Sequence, residues 1–271
     1  GSSIHGRSVF ESRDIERLIT KHRVQLVVLA IPLITNFERK RIIDSLLPLD
    51  VRVVTVPSYD SLINGKQQIT QTEDISIEDL LGRDAVPPIK EFMFARTKCK
   101  VCLVTGAGGS IGSELCRQIA SLSPTHLILI DSSEPALFAI QQDLLQSKFE
   151  KITCYLGSVT DSDFIEHVFT ENKVDNVFHA AAYKHVPMVE ANPLAGLVNN
   201  VEGTQKVLKA SIENGCQSFT LISTDKAVRP TNIMGATKRL AEMSCQLSAA
   251  ESKTNIIISM VRFGNVLGSS G

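Results

Sequence analysis

Between residues 101 and 112 an apolar run, Val101-Cys102-Leu103-Val104-Thr105, passes through Gly106-Ala107-Gly108-Gly109-Ser110-Ile111-Gly112 into a stretch of helical spacing. A strand that enters a helix through so many glycines turns sharply and lets backbone lie against backbone. That arrangement belongs to α/β architectures, where each strand is followed by a covering helix. The alternation continues downstream. Strands are expected at 101–105, 126–130, 152–156, 176–180, 218–223 and 256–262, with helices at 113–122, 198–214 and 233–250 among the intervals. The expected fold is α/β, a Rossmann-type doubly wound parallel sheet covered on both faces.

The first 73 residues read as part of a second Rossmann-like α/β domain. A helix is expected at about 12–21, then an apolar strand at 26–31 of the kind buried on both faces. A helix capped by Asn36 follows and runs to about residue 47; a strand at 51–56 ends at Pro57. This segment has no glycine-rich turn and starts on a helix, so a further β-α-β element is expected upstream. Residues 74–97 contain Pro87-Pro88 and read as a connector with one short helix near 77–81. The main domain is expected at 98–271.

Charge and apolar length exclude several classes of function. The 28 basic and 29 acidic residues balance to −1, evenly on either side of Thr97, which argues against a nucleic-acid binder. The longest apolar stretch is nine residues and includes Pro32, against about 20 for a membrane span. No basic segment leading into an apolar core opens the chain, so no signal peptide is expected. Of six cysteines only Cys99 and Cys102 form a C-x-x-C pair, with no second ligand pair at zinc spacing. No metal site is expected, and the thiols suit a reducing, cytoplasmic compartment.

The glycine turn carries the first chemistry. Gly106, Gly109 and Gly112, with Ser110 and Ile111, form G-x-x-G-x-x-G between a strand and a helix, where backbone amides and the helix dipole can hold a pyrophosphate. Asp131 lies 19 residues later at a strand end, placed to accept hydrogen bonds from an adenosine ribose or to cap the next helix. No Arg or Lys follows it at 132–134, which favours NAD, with NADP as the alternative. Ser158 and Val159 after the third strand either flank an adenine or form a turn. Ala180, Ala181 and Ala182 at the fourth strand's end would let a flat cofactor lie on the backbone. Lys184 beside them either meets a substrate phosphate or is solvated. Ser223-Thr224-Asp225-Lys226 crowd polar groups at the end of an apolar strand, which suggests a site. Met234 and Lys238 are four apart on one helix face. His179 reads as a satisfied strand residue, and Asn200 as one that fixes strand ends.

Six segments together resemble the extended short-chain dehydrogenase/reductases, and in detail the polysaccharide-biosynthesis nucleotide-sugar 4,6-dehydratases of bacterial capsule, lipopolysaccharide and glycoprotein pathways. They are TGAGGSIG at 105–112, HAAAYKHVP at 179–187, NNVEGT at 199–204, STDKAVRP at 223–230, MGATK at 234–238 and RFGNVLGSSG at 262–271. The Tyr of the superfamily's Tyr-x-x-x-Lys pair is replaced by Met234, as in the large membrane-associated members; a thioether is neither acid nor base. The resemblance implies UDP-N-acetylglucosamine as substrate, bound NAD, and retention at carbon 5. It implies that Thr224 binds the carbon-4 oxygen, Asp225 protonates the departing hydroxyl and Lys226 removes the carbon-5 proton. Lys238 would hold the nicotinamide ribose, and Asn265 the diphosphate side of the substrate. A homo-oligomer is implied, with transmembrane helices upstream in the full-length protein and a substrate lobe following the GSSG at 268–271. Rival readings are a nucleotide-sugar epimerase and a non-catalytic NAD-binding module.

Overall fold

The structure, a computed structural model, describes residues 2–31, 34–49, 51–56, 73–74 and 89–266. The chain divides into two compact units, Gly1–Pro87 and Pro88–Gly271.

In the first unit, β1 (Ser2–Ile4) and β2 (Arg7–Val9) form an antiparallel hairpin. Then come α1 (Ile15–His22), β3 (Leu26–Leu29), α2 (Asn36–Leu46), β4 (Arg52–Thr55) and β5 (Glu73–Asp74). β3 and β4 pair in parallel and β5 joins β4 antiparallel. Ile19, Leu46 and Val53 form the core. Two expectations change here. The cap of α2 is Thr35, whose hydroxyl accepts from the Glu38 amide while the Glu38 carboxylate accepts from the Thr35 amide, a reciprocal box that places Asn36 inside the helix. β3 is also not buried on both faces, since Leu26 and Val28 are exposed while Val27 and Leu29 pack on the core. The helix expected near 77–81 lies outside the described residues.

The second unit opens with α3 (Lys90–Thr97), inside the stretch read as a connector. It continues with β6 (Val101–Thr105), α4 (Ser110–Ser121), β7 (His126–Asp131), α5 (Glu134–Gln146), β8 (Ile152–Leu156), α6 (Ser162–Glu171) and β9 (Asn176–His179). Short helices α7 (Val186–Ala191) and α8 (Pro193–Leu197) lead through a π-turn at Val198–Glu202 into α9 (Gly203–Glu213). β10 (Ser218–Thr224), α10 (Ile233–Glu251) and β11 (Ile257–Phe263) complete it.

All six strands of this unit are parallel, in the order β8-β7-β6-β9-β10-β11. Side chains alternate between the faces of a strand, and the core divides accordingly. Cys102, Val104, Leu127 and Leu129 face α4 and α5 through Cys116, Ile119, Leu137 and Ile140. Leu103, Ile128, Val177 and Phe219 face α6, α9 and α10 through Ile165, Val207 and Ala241. The winding direction reverses between β6 and β9, and the crevice beyond the carboxyl ends of such a pair is where open α/β sheets bind ligands.

Candidate active site

At that crevice the glycines have separable duties. Gly106 has φ +65°, and a Cβ on it would stand 2.7 Å from the Ala181 backbone, so the glycine turn lies directly on the end of β9. A Cβ on Gly108 would strike Ala136 at 2.5 Å, and one on Gly112 would run into the Gly106 carbonyl. Gly109 differs: its only near neighbour would be the Gly106 oxygen at 3.3 Å, and the space beyond is open. All four line the cleft described below, and at three of them a close neighbour also leaves no room for a side chain. α4 begins at Ser110, three residues earlier than expected, and no side chain caps it. Ser110, Ile111 and Gly112 of its first turn line the same cleft, at the positive end of the helix dipole.

Asp131 organises this turn. Its carboxylate accepts from the Gly108 amide at 2.8 Å and from the Ser133 amide at 2.9 Å. Each carboxylate oxygen retains a second lone pair, so a ribose hydroxyl can still be received. Ser158 and Val159 lie elsewhere. Ser158 Oγ meets Thr160 Oγ1 at 2.8 Å in a turn, and Val159 is buried beneath Gly203, so neither lines the cleft. A valine after a strand is as readily a core residue as a ligand contact.

A cleft of about 690 Å³ runs from Gly106, Gly109, Ser110 and Asp131 across Ala180, Ala181 and Ala182 to Tyr183 and Asn192. A second, of about 540 Å³, shares Ile111, Ala182 and Lys184 with it and is lined further by Thr224, Lys226, Met234, Lys238 and Asn265. The structure thus brings together the glycine turn, the alanines, Lys184 and the polar end of β10. Lys184 is exposed.

The floor is held from beneath by a buried polar chain. The Ala181 amide donates to Thr105 Oγ1 at 3.3 Å, and Thr105 Oγ1 lies 2.7 Å from His179 Nδ1. His179 Nε2 lies 3.0 Å from Thr204 Oγ1, which donates to the Asn200 carbonyl at 2.7 Å. These donors order the protons: Nε2 carries the imidazole proton and Nδ1 accepts. Burial, and then the nearby Lys238 charge, pull the imidazole down to about 3, so it is neutral. The fully buried Asn200 accepts from the Tyr183 amide at 2.7 Å, and its Nδ2 donates to the Tyr183 carbonyl and to Thr237 Oγ1, both at 3.0 Å. It sits in the π-turn, a distortion frequent at functional sites. As expected, His179 and Asn200 are structural, and Asn200 ties the cleft floor to α10.

At the far end, Thr224 Oγ1 donates to Asp225 Oδ1 at 3.1 Å, and Lys226 Nζ stands 3.4 Å from the same oxygen. The Thr224 hydroxyl, with the Lys226 charge, holds the Asp225 carboxyl below the usual range, so it is a carboxylate. Lys226 Nζ also donates to Asn265 Oδ1 at 2.9 Å. α10 approaches through Gly235, where a Cβ would overlap the Lys226 carbonyl. Asn232 caps the helix by accepting from the Gly235 amide at 2.7 Å. Met234 and Lys238 are both buried there, and Lys238 Nζ donates to the Ile222 carbonyl at 2.7 Å. Burial pulls its ammonium down to about 8 from an ordinary 10.5, against the opposing negative charge of Glu242. Tyr183 and His185 also line the second cleft; their place in HAAAYKHVP was the available signal for them.

Among the described residues no cluster of His, Cys, Asp or Glu could hold a metal. Cys99 is exposed, while Cys102 is buried, its thiol pushed up to about 12 by that burial and by Asp175.

Residues 102–271 match the family model described as polysaccharide biosynthesis protein. The chain is 39% identical over 262 residues to the capsular polysaccharide biosynthesis protein CapD of Staphylococcus aureus, covering 95% of this chain and 43% of that one. It is 33% identical over 178 residues, 64% of its length, to an inverting UDP-N-acetylglucosamine 4,6-dehydratase of Campylobacter jejuni and to a UDP-glucose 4-epimerase of Rickettsia massiliae, covering 51% and 50% of those chains. It spans about half or less of these relatives. The crystal structure of DesIV, a dTDP-glucose 4,6-dehydratase from Streptomyces venezuelae with NAD and TYD bound, superposes with a TM-score of 0.52 at 21% identity, over 59% of this chain and 55% of that one; the likeness is one of fold. With its glycine turn, cleft and matched residues on one parallel sheet, the chain belongs to the polysaccharide biosynthesis protein family.

Proposed function

We propose that this chain is the cofactor-binding and catalytic part of a nucleotide-sugar 4,6-dehydratase. It acts on UDP-N-acetylglucosamine, retains configuration at carbon 5 and uses NAD. The observation that carries the reading is that Thr224 and Lys226 line a cleft continuous with the glycine turn, with Asp225 exposed beside them and hydrogen-bonded to both, and with Met234 where a phenol would otherwise stand.

The residues fit a dinucleotide. Gly109 leaves the backbone open to a pyrophosphate, the uncapped α4 terminus favours its charge, and the small side chains at 180–182 admit a flat ring. Asp131 would receive the adenosine ribose and repel a 2′-phosphate, which favours NAD over NADP. Lys238 would bind the nicotinamide ribose. When bound, NAD supplies a hydride acceptor at carbon 4 of the sugar and a donor at carbon 6.

The protein's part is to move protons. Asp225 enters as a carboxylate and so begins as a base: it takes the proton of the carbon-4 hydroxyl, oriented by Thr224. The resulting ketone acidifies the hydrogen on carbon 5; Lys226, having given one proton to solvent, removes it as a neutral amine and returns a proton to carbon 5 as carbon 6 is reduced. Asp225, now protonated, returns its proton to the departing carbon-6 hydroxyl, and water leaves. One residue thus does the work of the missing phenol and of the leaving-group acid. Asn265 holds Lys226 and, with Lys184, faces the diphosphate. The same reading includes a homo-oligomer on the cytoplasmic face of a membrane, anchored by helices upstream. Among the described residues no helix is long and apolar enough to cross one.

Epimerisation is the second reading, favoured by the similarity to the Rickettsia enzyme. It needs no acid for a leaving hydroxyl and gives no use to the Asp225–Lys226 pair. The full-length protein, incubated with UDP-N-acetylglucosamine in deuterated water, should give a product lighter by one water and carrying deuterium at carbon 5. Asp225→Asn and Lys226→Ala should each lower turnover by about 10²- to 10⁴-fold. A product of unchanged mass would establish the epimerase instead.

A further inference from the structure

Glu242 is a fully buried carboxylate on α10, one turn beyond Lys238. It accepts four hydrogen bonds. Ser223 Oγ and Arg262 Nε donate to Oε1 at 2.7 and 2.8 Å, and Arg262 Nη2 and Arg239 Nη1 donate to Oε2 at 2.6 and 3.0 Å. Ser223 and Arg262 are register partners in the parallel pair β10 and β11, so both side chains leave the same face of the sheet, toward α10. Each of the three elements joined here carries part of the site. β10 continues from Ser223 directly into Thr224, Asp225 and Lys226. β11 runs from Arg262 to Asn265. α10 bears Met234 and Lys238.

From this geometry we infer that Glu242 is a positioning residue: one carboxylate clamps α10, β10 and β11 directly beneath the site and sets the Lys226–Asn265 contact. The contact joins the ends of two strands across the cleft, and Ser223 and Arg262 each lie three residues before the residue that makes it. Among the described residues, the strand ends are otherwise joined by their ladder alone, and β11 is the outer strand of the six. The inner charge is well compensated. Burial pushes the Glu242 carboxyl up, yet the bonds from Arg262, Ser223 and Arg239 prevail and hold it at about 2. Such a group is an anion at every working pH, which suits a fixed joint and not a proton carrier.

The inference rests on the reading of Lys226 as a site residue. Its test is a double-mutant cycle in the full-length protein with Glu242→Gln and Asn265→Ala, using Arg239→Ala as the control that removes only the donor from the same helix. Glu242→Gln should lower kcat by about 10- to 100-fold, with KM for the sugar changed less than about threefold, because a misplaced group costs rate more than binding. Asn265→Ala should cost far less in the Glu242→Gln background than in the wild type, since the contact it removes is already lost. Arg239→Ala should leave kcat within about threefold. Losses that simply multiply, or an unchanged kcat in Glu242→Gln, would overturn the inference. Should Glu242→Gln fail to fold, Ser223→Ala takes its place with the same expected non-additivity. Amide hydrogen exchange at 224–226 and 262–266 separates the clamp from the chemistry. It should accelerate in Glu242→Gln even if the wild type proves not to dehydrate the sugar, and unchanged exchange there would overturn the clamp alone.

Discussion

Replacing Lys238 by Met should make the unliganded protein more stable at neutral pH and less stable in alkali. The ammonium is 5% exposed, and its hydrogen bond to protein is the one to the Ile222 carbonyl. Burial takes it from 10.5 to about 8, so keeping it charged at pH 7 costs about 3 kcal/mol. Methionine fills similar volume and removes that cost, but leaves the Ile222 carbonyl without its donor, a loss of about 1–3 kcal/mol. The net gain at pH 7 is about 1 kcal/mol, or about 2–4 °C in Tm for a unit of this size. The sign reverses with pH. Between about 8 and 10.5 the unfolded chain holds the proton that the folded chain has released, so wild-type stability rises by about 1.4 kcal/mol per pH unit. Above 10.5 the neutral amine still donates to Ile222, and the wild type becomes the more stable. Urea unfolding of both proteins at pH 7, 8, 9, 10 and 10.5 would trace two curves that cross. Parallel curves would refute the argument, because they would mean that Lys238 has the same proton affinity folded and unfolded. Saturating NAD should stabilise the wild type far more than the variant if Lys238 holds the nicotinamide ribose.

Other expectations follow from the same geometry. Gly109→Val should fold with Tm within a few degrees of wild type yet lose NAD binding by fluorescence titration, whereas Gly112→Val, driven into the Gly106 carbonyl, should not fold. Gly235→Ala should lower kcat more than it lowers Tm, because its Cβ pushes the first turn of α10 away from Lys226; normal turnover would show that the close approach is dispensable. His179 is neutral in the folded protein and charges in the unfolded one below about 6.5. Stability should therefore fall as the pH drops from about 6.5 toward about 3, by about 1.4 kcal/mol per unit, measured by urea unfolding between pH 4 and 7. His179→Gln should flatten that slope.

What the sequence shows plainly is what lies close along it. The glycine turn, the strand–helix alternation and the crowd of polar groups at 223–226 each occupy a single short window, and local spacing fixes their geometry. The cap of α2 lies one residue before the expected Asn36: Thr35 and Asn36 are both good caps, and the reciprocal bond to Glu38 decides between them. Ser158 and Val159 had the right position after a strand, but the nearness of α9 through Gly203 turned Val159 inward. The clamp at Glu242 is harder to see. Ser223 and Arg262 stand 19 and 20 residues from it, and they meet only because β10 and β11 pair in register under α10. Asp131 shows a third case: its ligand role and its hold on Gly108 use the same carboxylate, and residue type alone does not separate them.

The backbone amides at the end of β9 have a consequence for how a ligand must lie. Ala180 donates to the Thr105 carbonyl, Ala181 to the Thr105 hydroxyl and Tyr183 to Asn200, so three donors of this stretch point into the protein. The side chains that 180–182 bring to the cleft are methyl groups. Across from them, the start of α4 presents the positive end of its helix dipole. The cleft therefore has a dry wall and a wet wall. An anionic ligand gains only against α4, and an uncharged ring loses least water against the alanines. A molecule with a charged middle and a flat, weakly hydrated end has one low-energy way to enter, and that orientation is set before any side chain of Asp225 or Lys226 has touched it.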